Sequence, residues 1–145
     1  MRNVIIPLLV FLAFILPARA DENRPRRLSD DEIDRQLGRM QQMLPVQIQN
    51  GIRWIDIRRT GKEIKYTYIV NIDTASLDDG ERTDMIARLQ DFGCRQLLPA
   101  MCQGLEVMFA SGLTASTVYH DSFGNFLFDC TFTPAICTPP ASIMP

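Results

Sequence analysis

Four cysteines are the residues of this 145-residue chain whose chemistry is easiest to anticipate. Cys94, Cys102, Cys130 and Cys137 lack the C-x-x-C spacing of a redox centre, and the single histidine, His120, leaves little to complete a zinc site. We therefore expect two structural disulfides, each of which would add about 2–4 kcal/mol to the stability of the fold. Four cysteines allow three pairings, and the spacing alone does not choose among them.

Catalytic residue types are sparse in the sequence. His120 is the only imidazole, it lies beside Asp121, and no G-x-S-x-G motif accompanies it. The acidic runs 30–32 and 78–79 are typical of a helix start and of a solvated loop, because adjacent acids point apart instead of converging across a cleft. Segment 73–80 (DTASLDDG) lacks the spacing of a calcium loop. We predict no enzyme, no cofactor and no metal site, and keep a hydrolase that uses His120 and Asp121 as a minor alternative.

Aromatic residues are the better candidates for function, because they are enriched at protein interfaces. Trp54 alternates with Ile55 and Ile57, so it lies on the outer face of a sheet if these two isoleucines face the core. The alternative is that Trp54 faces inward and the register is shifted by one residue. The outer edges of the predicted hairpins offer a second mode of binding, the addition of an extended peptide as a strand. The predicted partner-binding residues are Trp54, Tyr66, Tyr68 and Phe123.

Residues 1–20 have the pattern of a signal peptide. Arg2 supplies the positive charge, residues 4–16 form the apolar run, and Ala18-Arg19-Ala20 is an A-x-A cleavage site. We expect cleavage after Ala20 and a periplasmic or secreted protein, with no stable membrane insertion afterwards because the apolar run is shorter than the about 20 residues of a spanning helix. The net charge of −2 disfavours nucleic acid as a partner.

The periodicity of apolar residues predicts the first half of an α+β domain. Residues 29–32 (Ser-Asp-Asp-Glu) form a capping box, which starts a helix over 30–43 that Pro45 ends. Asn50-Gly51 marks a turn. Strands over 52–58 and 63–72 then form a hairpin around the glycine of Arg59-Thr-Gly-Lys62.

The second half repeats this order. The helical period returns at about Glu81 and lasts until Pro99, and a shorter helix is expected over 105–111. A second hairpin joins 114–119 to 126–133, where the phenylalanines of the last strand alternate with polar residues and must be buried. The prediction is an α+β fold, α-ββ-α-ββ, with a four-stranded, mostly antiparallel sheet and helices packed on one face.

These patterns divide the chain into four parts. We expect a signal peptide over 1–20, a flexible leader over 21–28, a single α+β domain over 29–137 and a flexible tail over 138–145. The leader is charged and has no apolar period, and the tail contains Pro139-Pro140.

The stretch from Leu44 to Cys137 resembles the beta-type pilotins of bacterial type II secretion, small periplasmic proteins that escort the outer-membrane secretin. The resemblance lies in the order and spacing of motifs. These are Leu44-Pro45 after a first helix, a hairpin strand ending in Tyr66-Thr-Tyr-Ile-Val-Asn71, a helix leading to a cysteine, Gly112 before the third strand, Tyr119 and Gly124 at the second hairpin, and the terminal Cys137.

The resemblance implies a disulfide between Cys102 and Cys137, which leaves Cys94 and Cys130 as an additional pair. It also implies that the partner is a helical peptide from the C-terminus of a secretin. Such pilotins carry a lipid on a cysteine just after the signal peptide, whereas Asp21 follows Ala20 here. The resemblance therefore implies the same fold. It does not imply that a lipid anchor carries this chain to the outer membrane.

Together, these features predict an exported domain that binds another envelope or secreted protein. One hypothesis is an accessory factor of an envelope secretion apparatus. The alternative is a periplasmic inhibitor or immunity protein that blocks a partner enzyme.

Overall fold

The computed structural model describes residues 26–138. The expected signal peptide (1–20), most of the expected leader (21–25) and nearly all of the expected tail (139–145) lie outside these residues. No helix within 26–138 is both long and apolar enough to cross a membrane.

One five-stranded sheet forms the centre of the fold, with its strands in sequence order across the sheet. Neighbouring strands are antiparallel except for β3 and β4, which are parallel. The α+β class is therefore confirmed, with one strand more than the four predicted. The strands are β1 (Val46–Gln49), β2 (Ile52–Thr60), β3 (Glu63–Val70), β4 (Thr114–His120) and β5 (Phe126–Phe132).

The extra strand, β1, precedes the turn at Asn50-Gly51. It has only four residues, Val-Gln-Ile-Gln, and pairs with the first residues of β2. Gly51 has a φ of +82°, a left-handed conformation that glycine adopts without strain and that a tight hairpin turn requires. The turn signal thus marks a first hairpin, β1–β2, ahead of the predicted one.

Within residues 26–138, five α-helices accompany the sheet: α1 (Asp30–Met43), α2 (Asp79–Gln90), α3 (Leu98–Gly104), α4 (Glu106–Ala110) and α5 (Pro134–Cys137). The bounds of α1 are those predicted. Ser29 Oγ accepts from the Glu32 amide at 3.3 Å, and the Ser29 amide donates to Glu32 Oε2 at 2.8 Å, which is the reciprocal pattern of a capping box. Leu44, before Pro45, is already extended.

The long second helix of the prediction is divided into three pieces. It begins at Asp79, two residues earlier than expected, because Asp78 and Glu81 form a second capping box. A π-helical segment, Asp91–Gln96, follows α2. Pro99 then lies in the first turn of α3 instead of ending a helix, since proline fits a position where no amide donor is needed.

The helices pack on one face of the sheet, as predicted, and the core lies between them. Paired residues on that face form a row across the five strands, which we call the core row: Val46, Trp54, Tyr68, Tyr119 and Phe128. Its aromatic rings pack along the row, with centroids 6.5 Å, 5.0 Å and 4.4 Å apart from β2 to β5. The predicted burial of the β5 phenylalanine face is confirmed for Phe128 and Phe132.

Two disulfides link the helical segment to the C-terminal part of the domain. Cys94, in the π-helical segment, is bonded to Cys130 of β5. Cys102 of α3 is bonded to Cys137 at the end of α5. These are the two pairs that the resemblance implies.

Candidate functional site

Three of the four predicted partner-binding residues lie in the core. Trp54, Tyr66 and Tyr68 are each at most 2% exposed, and burial raises the pKa of both tyrosines. The hydroxyl of Tyr66 lies 3.5 Å from the sulfur of Met108 in α4. A partner would reach these rings only if the helices moved away from the sheet.

The inward position of Trp54 is the second of the two alternatives that the sequence leaves open. Trp54 pairs with Tyr68 and Asp56 pairs with Thr67, so Ile55 is an extra residue, a β-bulge, in β2. Because of the bulge, Trp54 and Ile57 both face the core although they are three positions apart in the sequence. Strict alternation along β2 fails at this point.

Phe123, the fourth predicted residue, is 73% exposed in the loop between β4 and β5. Phe126, the first residue of β5, is 59% exposed, which corrects the prediction that it shares the buried face of Phe128 and Phe132. A second bulge lies between the pairs Tyr119–Phe128 and His120–Phe126, so Phe126 pairs with His120 on the outer face. Their rings meet edge to face with centroids 6.2 Å apart. We call His120, Phe123 and Phe126 the aromatic end.

The loop that carries Phe123 is held in place by Asp121, which is completely buried. Asp121 Oδ1 accepts from the amides of Phe123 at 2.9 Å and Asn125 at 2.8 Å. Oδ2 accepts from Thr74 Oγ1 at 2.6 Å and from Asn125 Nδ2 at 2.9 Å. The Ser122 amide also donates to the Ile72 carbonyl at 3.0 Å. The loop is therefore fixed to the end of β3 and to the turn that follows it.

Opposing effects act on the carboxyl of Asp121. Burial raises its pKa, and the hydrogen bonds from Thr74, Asn125 and Phe123 lower it. The hydrogen bonds prevail, so the pKa of Asp121 lies well below its ordinary value. The group stays ionised and accepts only, which suits a structural anchor and not a proton donor.

The side chains of His120 and Asp121, the residues of the minor alternative, have different surroundings. The His120 ring packs against Phe126, while the Asp121 carboxylate lies inside the loop with four donors. Residues 26–138 contain no group of three histidine, cysteine or acidic side chains placed to hold a metal ion.

The outer face of the sheet carries a second row of paired residues, which we call the outer row: Gln47, Arg53, Ile69, His120 and Phe126. It changes from polar and cationic at β1 and β2 to apolar and aromatic at β4 and β5. Arg53 is exposed, and Ile69 and His120 are half-buried. Sequence reasoning missed Arg53 and placed Phe126 on the opposite face, because a bulge turns Phe126 outward and only the β3–β4 pairing joins the two hairpins into one row.

A depression of about 330 Å³ opens at the cationic part of the outer row. Arg53 is the one charged side chain among the residues that line it, and the others are neutral. The lining residues are Gln47, Asn50, Gly51, Arg53, Ile69, Asn71 and Ser122.

Comparisons with known proteins find the fold among solved structures. No protein-family model matches the chain, and no curated protein matches it significantly. A protein from Pseudomonas aeruginosa that is described as secreted is 16% identical, with a TM-score of 0.56 over 78% of this chain and 99% of that protein. At this identity, the likeness shows the fold alone.

Two pilotins of type II secretion systems are also similar to this chain, as the sequence resemblance leads one to expect. EpsS from Vibrio vulnificus is 17% identical, with a TM-score of 0.45 over 77% of this chain and 100% of the pilotin. AspS from Vibrio cholerae is 14% identical, with a TM-score of 0.42 over 71% of this chain and 86% of the pilotin.

Proposed function

We propose that this chain is an exported domain that binds another envelope protein through the aromatic end. The observation that carries the proposal is the exposure of Phe123 and Phe126 on a hairpin whose loop is fixed by the buried Asp121. An exposed aromatic ring on an ordered backbone loses little conformational entropy when a partner covers it. Such residues are the usual anchors of protein interfaces.

Export after cleavage at Ala20 is part of this proposal. The N-terminal pattern of residues 1–20 and the two disulfides support it, because disulfides persist in oxidising compartments. The similar protein from P. aeruginosa is described as secreted.

The more specific role that we propose is an accessory factor of an envelope secretion apparatus, without catalytic activity. This role rests on the sequence resemblance to beta-type pilotins, which implies a helical secretin peptide as the partner. The absence of catalysis rests on the divergent placement of His120 and Asp121.

A photo-crosslinking experiment in intact cells tests the proposal. A benzophenone amino acid replaces Phe123 in one strain and Met43, which is 58% exposed at the end of α1, in a matched control. We expect a discrete adduct with one envelope protein from position 123 and none from position 43. Purified partner should then bind the Phe123→Ser/Phe126→Ser variant at least about tenfold more weakly, because truncating an aromatic hot spot of an interface costs about 2 kcal/mol or more.

The identity of the adduct separates the two hypotheses on function. A secretin subunit would support the accessory role. If position 123 gives no adduct, or the same adducts as position 43, the proposed binding surface is wrong.

A second candidate function is inhibition of an enzyme, and the position of Phe123 favours it. A ring that is 73% exposed in a fixed loop could enter an active-site cleft. In that case the adduct would be an envelope enzyme, whose activity would fall stoichiometrically when the purified chain is added. The Phe123→Ser variant would restore that activity.

A further inference from the structure

The depression on the outer face has the chemistry of an anion site. Its charged group is the guanidinium of Arg53, and the side-chain amides of Gln47, Asn50 and Asn71 can donate further hydrogen bonds, whereas the Ser122 hydroxyl donates to Asn71 Oδ1 at 3.2 Å. No acidic side chain lines it. The lining thus combines one positive charge with several donors and offers no competing carboxylate.

Arg53 differs from the neighbouring arginines of β2 in having no acidic partner within residues 26–138. Arg58 pairs with Asp56 at 2.7 Å, and Arg59 pairs with Asp30 at 2.7 Å. Arg59 also pairs with Asp34 at 3.2 Å, and the other ion pairs within residues 26–138 involve Arg26, Arg82 and Arg95. The fork of Arg53 is therefore available for a carboxylate, which guanidinium groups bind through two parallel hydrogen bonds.

An apolar surface begins directly beside Arg53. Ile69 pairs with Arg53 on the next strand, so the two residues lie about 5 Å apart, the spacing of neighbouring strands. His120 and then Phe126 continue the row at the same spacing. A ligand that carries a carboxylate and an apolar group a few ångströms apart would contact Arg53 with the first and Ile69 with the second.

The terminal residue of a peptide has this arrangement, because its carboxylate and its side chain are attached to one Cα atom. A volume of about 330 Å³ is sufficient for one residue, whereas an internal Asp or Glu would bring chain on both sides. We propose that the depression binds the free C-terminal carboxylate of a partner peptide that ends in an apolar or aromatic residue. This inference rests on the proposed function, since it assigns the chemistry of the partner.

Titration of the isotope-labelled full exported chain with N-acetylphenylalanine, followed by amide NMR, tests the site. We expect saturable shifts at the lining residues, above all Asn50, Gly51, Arg53 and Ile69, and none with N-acetylphenylalaninamide, which lacks the carboxylate. Acetate should bind more weakly than N-acetylphenylalanine, because it has no group to contact Ile69. Equal shifts with the amide, or equal affinity for acetate, would overturn the proposal.

Substitution of Arg53 supplies the matched control. Arg53→Gln should weaken N-acetylphenylalanine binding about tenfold, and Arg53→Lys should weaken it less, because it keeps the charge but not the fork. Arg58→Gln, on the same strand and face, should leave binding unchanged. Unchanged affinity in Arg53→Gln would contradict the site.

The binding experiments with N-acetylphenylalanine and the crosslinking experiment test different parts of the model of partner binding. An adduct at position 123 without binding of N-acetylphenylalanine would refute the carboxylate site alone. Binding of N-acetylphenylalanine without an adduct would refute the proposed interface at the aromatic end.

Discussion

Asp121 is the side chain on which the geometry of the aromatic end depends. Its carboxylate accepts hydrogen bonds from two backbone amides of its own loop and from Thr74 in the turn after β3. The sequence marks 120–125 as a turn, because Asp, Ser, Gly and Asn are typical there. It does not reveal that Asp121 is buried, since its contact with Thr74 crosses 47 residues of chain.

We predict that Asp121→Asn lowers the melting temperature by several degrees at neutral pH. An amide can still accept from the Phe123 and Asn125 amides, but its NH2 group would face the Asn125 side-chain donor. Thermal unfolding followed by circular dichroism measures the effect. Asp129→Asn, an exposed acid on the same hairpin, is the control and should leave the melting temperature nearly unchanged.

The stabilities of the wild-type protein and the Asp121→Asn variant should also respond differently to acid. The pKa of Asp121 is lower in the folded state, so its stabilising effect is complete above the unfolded value of about 3.9 and is lost as the pH falls below it. We therefore expect the stability difference between wild type and Asp121→Asn to shrink between about pH 5 and pH 2. Urea unfolding across this range measures it, and a difference independent of pH would contradict the role given to the carboxylate.

At the scale of elements, Gly93 allows the π-helical segment to approach the core row. A Cβ atom at this position would lie 3.2 Å from Phe128 Cε2 and 3.3 Å from Tyr119 Oη, closer than most real contacts. The adjacent Cys94 is bonded to Cys130 of β5. The glycine that weakens a helical pattern in the sequence is thus explained by close packing.

Gly93→Ala should lower the free energy of unfolding by about 1–3 kcal/mol, because the added methyl overpacks the core. Gly38→Ala in α1 is the matched control, since nothing lies within 4 Å of a Cβ atom there. It should stabilise the protein by about 0.5–1 kcal/mol through the helix propensity of alanine. Chemical denaturation of the two variants measures both effects, and equal shifts would contradict this packing.

The elements that follow from local sequence are those with a strong signal of their own. The capping box and apolar stripe of α1 and the alternation of β3 give both elements almost without error. The β-bulge at Ile55 is different, because it arises from pairing with β3 and reverses the side on which Trp54 lies. The short β1 is likewise stabilised by β2 and has too few residues for a periodic signal.

The residues proposed to bind a partner show the same limit. The exposure of Phe123 could be predicted because its loop is recognisable from composition. Phe126 could not, since a bulge turns it away from the side that alternation assigns. The outer row exists only once all five strands are in register.

At the scale of the whole molecule, the two disulfides fasten different parts of the helical segment. α2 has no fully buried residue, and Cys94–Cys130 is the covalent link nearest to it. Cys102–Cys137 instead fixes α5 against α3. The first bond therefore restrains α2 and the π-helical segment, and the second restrains α3 and α5.

We predict that Cys94→Ser/Cys130→Ser speeds amide hydrogen exchange mainly in α2 and the π-helical segment. Cys102→Ser/Cys137→Ser should instead speed exchange in α3 and α5. Each pair should lower the free energy of unfolding by about 2–4 kcal/mol. Exchange measured by mass spectrometry distinguishes them, and indistinguishable exchange patterns would show that the two bonds act on the fold as a whole.

The parallel pairing of β3 with β4 also sets the sequence of events by which the chain can assemble. β1, β2 and β3 form a meander of local contacts, whereas the pairing of β4 with β3 spans the intervening helices, so we expect it to form more slowly. All four cysteines follow β3, so the meander assembles without any thiol. Premature oxidation would therefore mispair sulfurs only in the second half, which is where a disulfide isomerase would act.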